Sequence, residues 1–193
     1  KIGFRSPELD SRIYTMPNIL VINGSTREAS TNGLFIKAII KLAADLAHFT
    51  VFPSIADLPQ FNPDLDVDPA PIPVSHFRTL LATADGILIC TPEYAMGVPG
   101  SLKNALDWTV STADFRAKPV MLVTASLSGE KAQASLIDTL KVIEALLDAE
   151  TTALVKFART KVNSEGVITD AEALADVQRA LEAFMNSVAR ILK

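Results

Sequence analysis

Apolar runs broken by turn residues divide the chain into alternating elements. Asn18–Asn23 (NILVIN) is a short apolar run that ends in Gly-Ser-Thr, which predicts a strand entering a turn. Over Thr31–Ala47 the apolar positions Phe35, Ile36, Ile39, Ile40, Ala43 and Leu46 recur at helical spacing, which predicts an amphipathic helix. Phe49–Phe52 is a second, weaker strand, and Val74–Ala82 a short helix. Asp85–Thr91 (DGILICT) and Pro119–Ala125 (PVMLVTA) are continuously apolar, as strands covered on both faces must be. Helical spacing returns over Pro99–Val110 and over Lys131–Leu147, where Leu136, Leu140, Ile143 and Leu147 form one stripe. Thr152–Phe157 is the fifth strand. Thr169 and Glu172 fit a capping box that opens a last helix with the stripe Leu174, Val177, Leu181, Phe184, Val188 and Ile191. That stripe suits either a short coiled coil or one face packed on a sheet.

Five strands alternating with five helices predict a parallel sheet with helices on both faces. At this length the doubly wound, flavodoxin-like order is the α/β fold that fits, as one domain over residues 16–193. Residues 53–73 hold Pro53, Pro59, Pro63, Pro69, Pro71 and Pro73 and predict an irregular excursion. Ligands of such sheets sit beyond the C-terminal strand ends, so the loops after strands one, three and four are the candidates for chemistry.

Composition narrows the classes. A net charge of −4 argues against a sequence-independent grip on nucleic acid, which needs a basic face. One cysteine, Cys90, excludes an internal disulfide, and two histidines, His48 and His76, leave little for a metal centre. Cys90 ends an apolar strand and reads as a buried thiol. Asp64, Asp66 and Asp68 alternate like a calcium loop, but Pro69 and Ser75 occupy the positions where such a loop needs Gly and Glu. No run reaches the roughly 18 apolar residues of a membrane helix. These features predict a cytoplasmic protein without membrane or nucleic-acid partners. Residues 1–15 show no period of either kind and read as an expression remnant or an arm before Met16.

The loop after strand one, Gly24-Ser25-Thr26-Arg27-Glu28-Ala29-Ser30-Thr31-Asn32-Gly33, runs into a helix N-terminus. Unpaired N–H groups and a partial positive charge attract phosphate there, and Arg27 adds a fork suited to phosphate oxygens. Simple capping by Ser30 or Thr31 is the competing reading, and it leaves Ser25 and Arg27 without a purpose. The chain has neither G-x-G-x-x-G nor a P-loop, which favours a mononucleotide over a dinucleotide. The loop after strand three, from Thr91 to Trp108, has Pro92 and Gly97 in a tight turn, with Tyr94 and Met96 available to cover a ring.

Two motifs together carry a family resemblance. GSTREASTN resembles the G-S-x-R-x-x-S-x-N phosphate loop of the NAD(P)H-dependent FMN reductases, a group that includes bacterial quinone and chromate reductases. TPEYAMGVPGSLKNALDW resembles that family's T-P-E-Y-N-x-x-x-P-G-x-L-K-N-A-L-D-W, and the likeness extends over roughly Met16 to Val155. The resemblance implies noncovalent FMN, with its phosphate held by Ser25, Arg27, Ser30 and Asn32 and by the backbone of Thr31. It places the isoalloxazine against Pro92, Glu93, Tyr94, Ala95 and Met96, mostly through backbone groups, with a third contact at Ala125 and Ser126. It implies no catalytic acid or base, and gives Glu93 a structural role. It further implies NADPH or NADH as co-substrate, a small-molecule acceptor (quinone, azo, chromate or flavin) served by ping-pong exchange, and a homodimer or homotetramer.

Two positions depart from the family pattern. Ala95 stands where the family has Asn, and the loop Ser126–Gln133 is short and lacks paired glycines. An electron-carrier flavodoxin is the competing function, and a fold that has kept little flavin is a third. Arg27 and the mild charge speak for the reductase. Trp108, just past the second motif, reads as packing rather than flavin stacking.

Overall fold

The computed structural model describes residues 16–193, so the N-terminal segment 1–15 lies outside the described residues. Five strands form one parallel sheet in the order β2-β1-β3-β4-β5: β1 (Asn18–Asn23), β2 (His48–Val51), β3 (Gly86–Thr91), β4 (Val120–Ala125) and β5 (Thr152–Val155). This is the flavodoxin-like order, with the reversal between β1 and β3. Every residue of β3 and β4 is buried, which explains why they read as unbroken apolar runs. The edge strand β2 is mostly exposed, and its sequence signal is correspondingly faint.

The helices α1 (Thr31–Leu42) and α5 (Ala171–Ile191) cover one face of the sheet, where Phe35, Ile39, Val177, Leu181 and Phe184 pack on Val21, Leu88 and Val123. The opposite face takes α2 (Ile72–Thr83), α3 (Gly100–Asp107) and α4 (Glu130–Val142), with Phe77, Leu81, Leu102, Leu136 and Leu140 against Ile22, Ile87 and Leu122. The stripe on α5 is therefore a sheet-packing face, although Ile191 at its end is 48% exposed.

Several helix boundaries differ from the periodicity: α2 starts two residues early at Ile72, α3 ends at Asp107 instead of Val110, and three others differ for tertiary reasons. Helix α1 stops at Leu42 instead of Ala47, because the chain must turn back for His48 to donate its N–H to Pro17 O (2.8 Å) and start β2. Helix α4 stops at Val142 instead of Leu147. Glu144 takes a left-handed φ of 61°, and residues 144–146 return to the sheet, where Leu146 N bonds Lys118 O and Val120 N bonds Leu146 O (both 2.8 Å). Leu147 still packs on the core the stripe predicted, but from a non-helical segment. The α5 cap is Asp170, whose Oδ1 accepts from Ala173 N (2.9 Å), not Thr169; Thr169 N instead donates to Lys161 O (2.9 Å), so the loop runs one residue further before the helix starts.

The proline-rich stretch is irregular apart from single 3-10 turns at Ile55–Asp57 and Pro63–Leu65, and it ends earlier than its composition suggests, because Ile72 and Pro73 already open α2; α3 fixes it. Asn104 accepts from Phe61 N (2.7 Å) and donates to Pro59 O (3.0 Å), and Trp108 Nε1 donates to the same oxygen (2.8 Å). Phe61 meets the Trp108 ring edge-on at 5.1 Å. Further along, Arg78 joins Asp66 (2.7 Å) to the backbone of Trp108. Trp108 is thus fully buried packing, as the sequence indicates.

Candidate functional site

The loop after β1 begins with an approach that only glycine permits. Gly24 N donates to Cys90 O (2.8 Å), and a Cβ on Gly24 would lie 2.4 Å from Thr91 Oγ1. The loop is then shaped by short-range polar bonds. Ser25 N donates to Asn23 Oδ1 (3.0 Å), and Ser30 caps α1 by accepting from Gly33 N (3.0 Å). Capping therefore occurs, but it occupies one N–H; those of Thr31 and Asn32, in the first helical turn, have no acceptor among the described residues. No acidic residue lies in that turn, so nothing there offsets the positive helix end. Ser25 is buried and Arg27 exposed at the mouth. The Asn32 side chain turns inward, its Oδ1 accepting from the Cys90 thiol (3.3 Å). Burial pushes the Cys90 thiol well above its ordinary pKa, so it stays protonated and unreactive.

The loop after β3 is shaped by strain and by a distant partner. Tyr94 and Gly97 exchange N–H···O bonds of 3.0 and 2.9 Å around Ala95 (φ 48°) and Met96 (φ 60°). Two successive positive φ values close a tight turn of the primed type, a geometry that favours Asn and Gly. Ala95 and Met96 hold it at a cost of roughly 1–2 kcal/mol each. Pro92 beneath is buried, whereas Tyr94 and Met96 are exposed at the rim.

Glu93 points away from that rim. Its carboxylate accepts from Ala132 N (2.9 Å), Lys131 N (3.0 Å) and Ser128 Oγ (2.8 Å), while its own N–H donates to Ser126 Oγ (3.1 Å). Helix α4 has no cap of its own, since Gly129 precedes it at φ 109°; Glu93 supplies the cap from another loop. The N–H of Ala132 foremost, then Ser128, holds the Glu93 carboxyl below the usual carboxylate range. An ionised acceptor tied to a helix end is a strut between the loops after β3 and β4, not a proton shuttle.

These loops converge on a cleft of about 150 Å³ at the C-terminal edge of the sheet. Ser25, Arg27, Ser30, Thr31, Asn32, Pro92, Tyr94, Ala125 and Ser126 line it together. Of the other expected positions, Ala95 and Met96 stand exposed beside it in the strained turn, and Glu93 behind it. Leu127, in the loop after β4, also lines it, as do Ala158 and Arg159, which lie outside the loops that the sequence singled out. The signal was available: β5 is parallel to β4, so its following loop must reach the same rim. A larger groove of about 420 Å³ lies at the opposite, N-terminal edge, between residues 145–151 and the end of α5, away from both motif loops.

The cleft fits FMN in its chemistry. Two free helix N–H groups, Arg27 and the Ser25 hydroxyl suit a phosphate, and the turn at Tyr94–Gly97 offers peptide edges to a planar heterocycle. Among the described residues no group of His, Cys, Asp or Glu is arranged to hold a metal ion, and no helix is long and apolar enough to cross a membrane.

Comparison with known proteins agrees. The family described as NADPH-dependent FMN reductase matches residues 17–160. A quinone reductase of Escherichia coli (strain K12) is 30% identical over 180 residues, covering 90% of this chain and 96% of that protein. A 2-hydroxy-1,4-benzoquinone reductase of Burkholderia sp is 30% identical over 177 residues, covering 89% and 93%. Among solved structures, FerB, a flavoenzyme NAD(P)H:(acceptor) oxidoreductase from Paracoccus denitrificans, superposes with a TM-score of 0.75 at 27% identity, covering 90% of this chain and 98% of that one. This chain belongs to the NADPH-dependent FMN reductase family: it is a flavin-dependent oxidoreductase with FMN as cofactor and NAD(P)H as co-substrate.

Proposed function

We propose that the protein passes reducing equivalents from NAD(P)H to small electron acceptors, quinones foremost, with the nicotinamide and the acceptor using the same open face in turn. FMN, when bound, supplies the two-electron chemistry. The chain's own residues bind and orient it. Arg27, Ser25 and Ser30, with the helix N–H groups of Thr31 and Asn32, take the phosphate. Pro92, Tyr94, Ala95 and Met96 place the ring from one side, with Ala125 and Ser126 from the other, and Glu93 keeps those two loops in register. The observation that carries this reading is the convergence of the anion-binding end of α1 and the Tyr94–Gly97 turn on one cleft.

Exposed Tyr94, Met96 and Leu127 give that cleft an apolar rim, which favours planar acceptors such as quinones and flavins over charged oxyanions such as chromate; azo compounds fall with the planar group. The same exposed rim suits the interface of a homodimer or homotetramer, and the reduced Cys90 suits a cytoplasmic setting. The test is anaerobic. The protein is loaded with FMN, NADPH or NADH is added, and the visible flavin absorbance is followed. Rapid bleaching, reversed by a benzoquinone, is the expected result. Bound flavin that neither nucleotide bleaches would make the protein an electron carrier instead, and failure to take up FMN would end the flavin reading.

A further inference from the structure

We infer that Arg159 is a second guanidinium of the phosphate end of the cleft, matched to a doubly charged phosphate monoester. The inference rests on the FMN reading of the cleft above. Beyond Val155 the chain leaves β5 and reverses at Phe157, which takes a left-handed φ of 51° although it is not glycine. The Phe157 ring is 60% exposed, so its own burial does not offset that strain. What the reversal achieves is placement. Phe157 N donates to Leu127 O (3.2 Å) and Ala158 N to Ser126 O (3.0 Å), which docks the chain onto the loop after β4. A single 3-10 turn over Ala158–Thr160 follows, closed by Thr160 N to Phe157 O (3.0 Å), and presents Arg159 to the cleft.

Beyond it, residues 161–168 run beside α1. Lys41 Nζ donates to Glu165 O (2.7 Å), and Gly166 sits so close to Lys37 and Leu34 that a Cβ would meet both. The segment carrying Arg159 is therefore braced against the helix whose N-terminus faces the same cleft.

Charge states what that placement is for. Arg78, Arg116 and Arg179 each pair with a carboxylate. Arg27, Arg159 and Arg190 have no carboxylate partner among the described residues; Arg190 lies at the far end of α5, whereas Arg27 and Arg159 line the same cleft. A phosphate monoester carries about −1.5 to −2 near neutral pH. A helix N-terminus supplies roughly half a positive charge, so with one arginine the site reaches only the lower end of the phosphate's charge, and a second leaves no part of the full dianion uncompensated. A phosphodiester or an uncharged flavin gains less from the second arginine.

The experiment is a fluorescence titration of the flavin-free protein with FMN and with riboflavin, at one ionic strength. Wild type, Arg159→Ala, Arg159→Lys and Arg27→Ala are compared. Arg159→Ala is expected to lower the preference for FMN over riboflavin about tenfold. Its riboflavin affinity should be unchanged, which shows an intact ring site, and Arg159→Lys should recover part of the preference. An unchanged preference in Arg159→Ala overturns the inference, and so does an equal loss for both flavins, which would mean that Arg159 only shapes the loop. If Arg27→Ala loses the preference while Arg159→Ala keeps it, the FMN site stands and the second guanidinium falls. If wild type takes up no FMN, both fall together.

Discussion

The two motif loops reach the same cleft by opposite means. From Gly24 to Gly33 the chain is fixed by short-range bonds, the Asn23–Ser25 contact and the Ser30 cap, and by seating at both ends on Cys90 and Thr91 of β3, with no left-handed residue anywhere in it. From Pro92 to Gly97 it is held in a strained turn and tied by Glu93 to a helix some forty residues on. The first arrangement suits a ligand end that is the same at every turnover, a phosphate. The second suits a rim that must meet several partners, because strain and distant ties can be tuned without rebuilding the sheet.

The contrast can be broken most sharply at its rigid side. Gly24→Ala forces a methyl group against buried Thr91, and overpacking of that kind costs about 1–3 kcal/mol. The denaturant midpoint should fall accordingly, and FMN uptake should fall with it. The tie at Glu93 comes next. Its carboxyl ordinarily titrates near 4.5 and is held lower in the fold. A depressed carboxylate contributes stability that is complete above about 4.5 and fades as pH falls through the lower, folded value. Glu93→Gln should therefore lose stability near neutral pH and show a flatter acid limb than wild type. Equal acid sensitivity of the two proteins would show that the strut carries no linkage. The smallest effect is expected at the strained turn. Ala95→Asn places a residue that tolerates left-handed geometry, and should gain about 0.5–1 kcal/mol, or roughly 2 °C in Tm for a chain of this size. No gain would mean that the turn relaxes in solution.

Much of this is legible in the sequence. Strands β3 and β4 read cleanly because both faces are covered, and the α5 stripe marked its buried face by spacing alone. The loop after β1 is legible because its turn and cap are made by local bonds. What escaped depends on residues remote in sequence. The end of α4 is set by the return of Leu146 to the sheet, and the destination of Glu93 by where α4 starts. The strain at Ala95 arises from a backbone closure that a single alanine does not advertise. Arg159 follows the edge strand β5, whose chain turns back over the rim only because Phe157 adopts an unfavourable conformation.

The clasp of Asn104 on the excursion carries a consequence for solvent exchange. Phe61 belongs to neither strand nor helix, yet its N–H is held at 2.7 Å by a side chain that is itself only 7% exposed, with Trp108 closing the other side. Amide protons in unstructured stretches ordinarily trade with deuterium through small local openings. This one is released only when the excursion gives up its bonds to Asn104 and Trp108, so its protection factor should stand far above those of its proline-flanked neighbours.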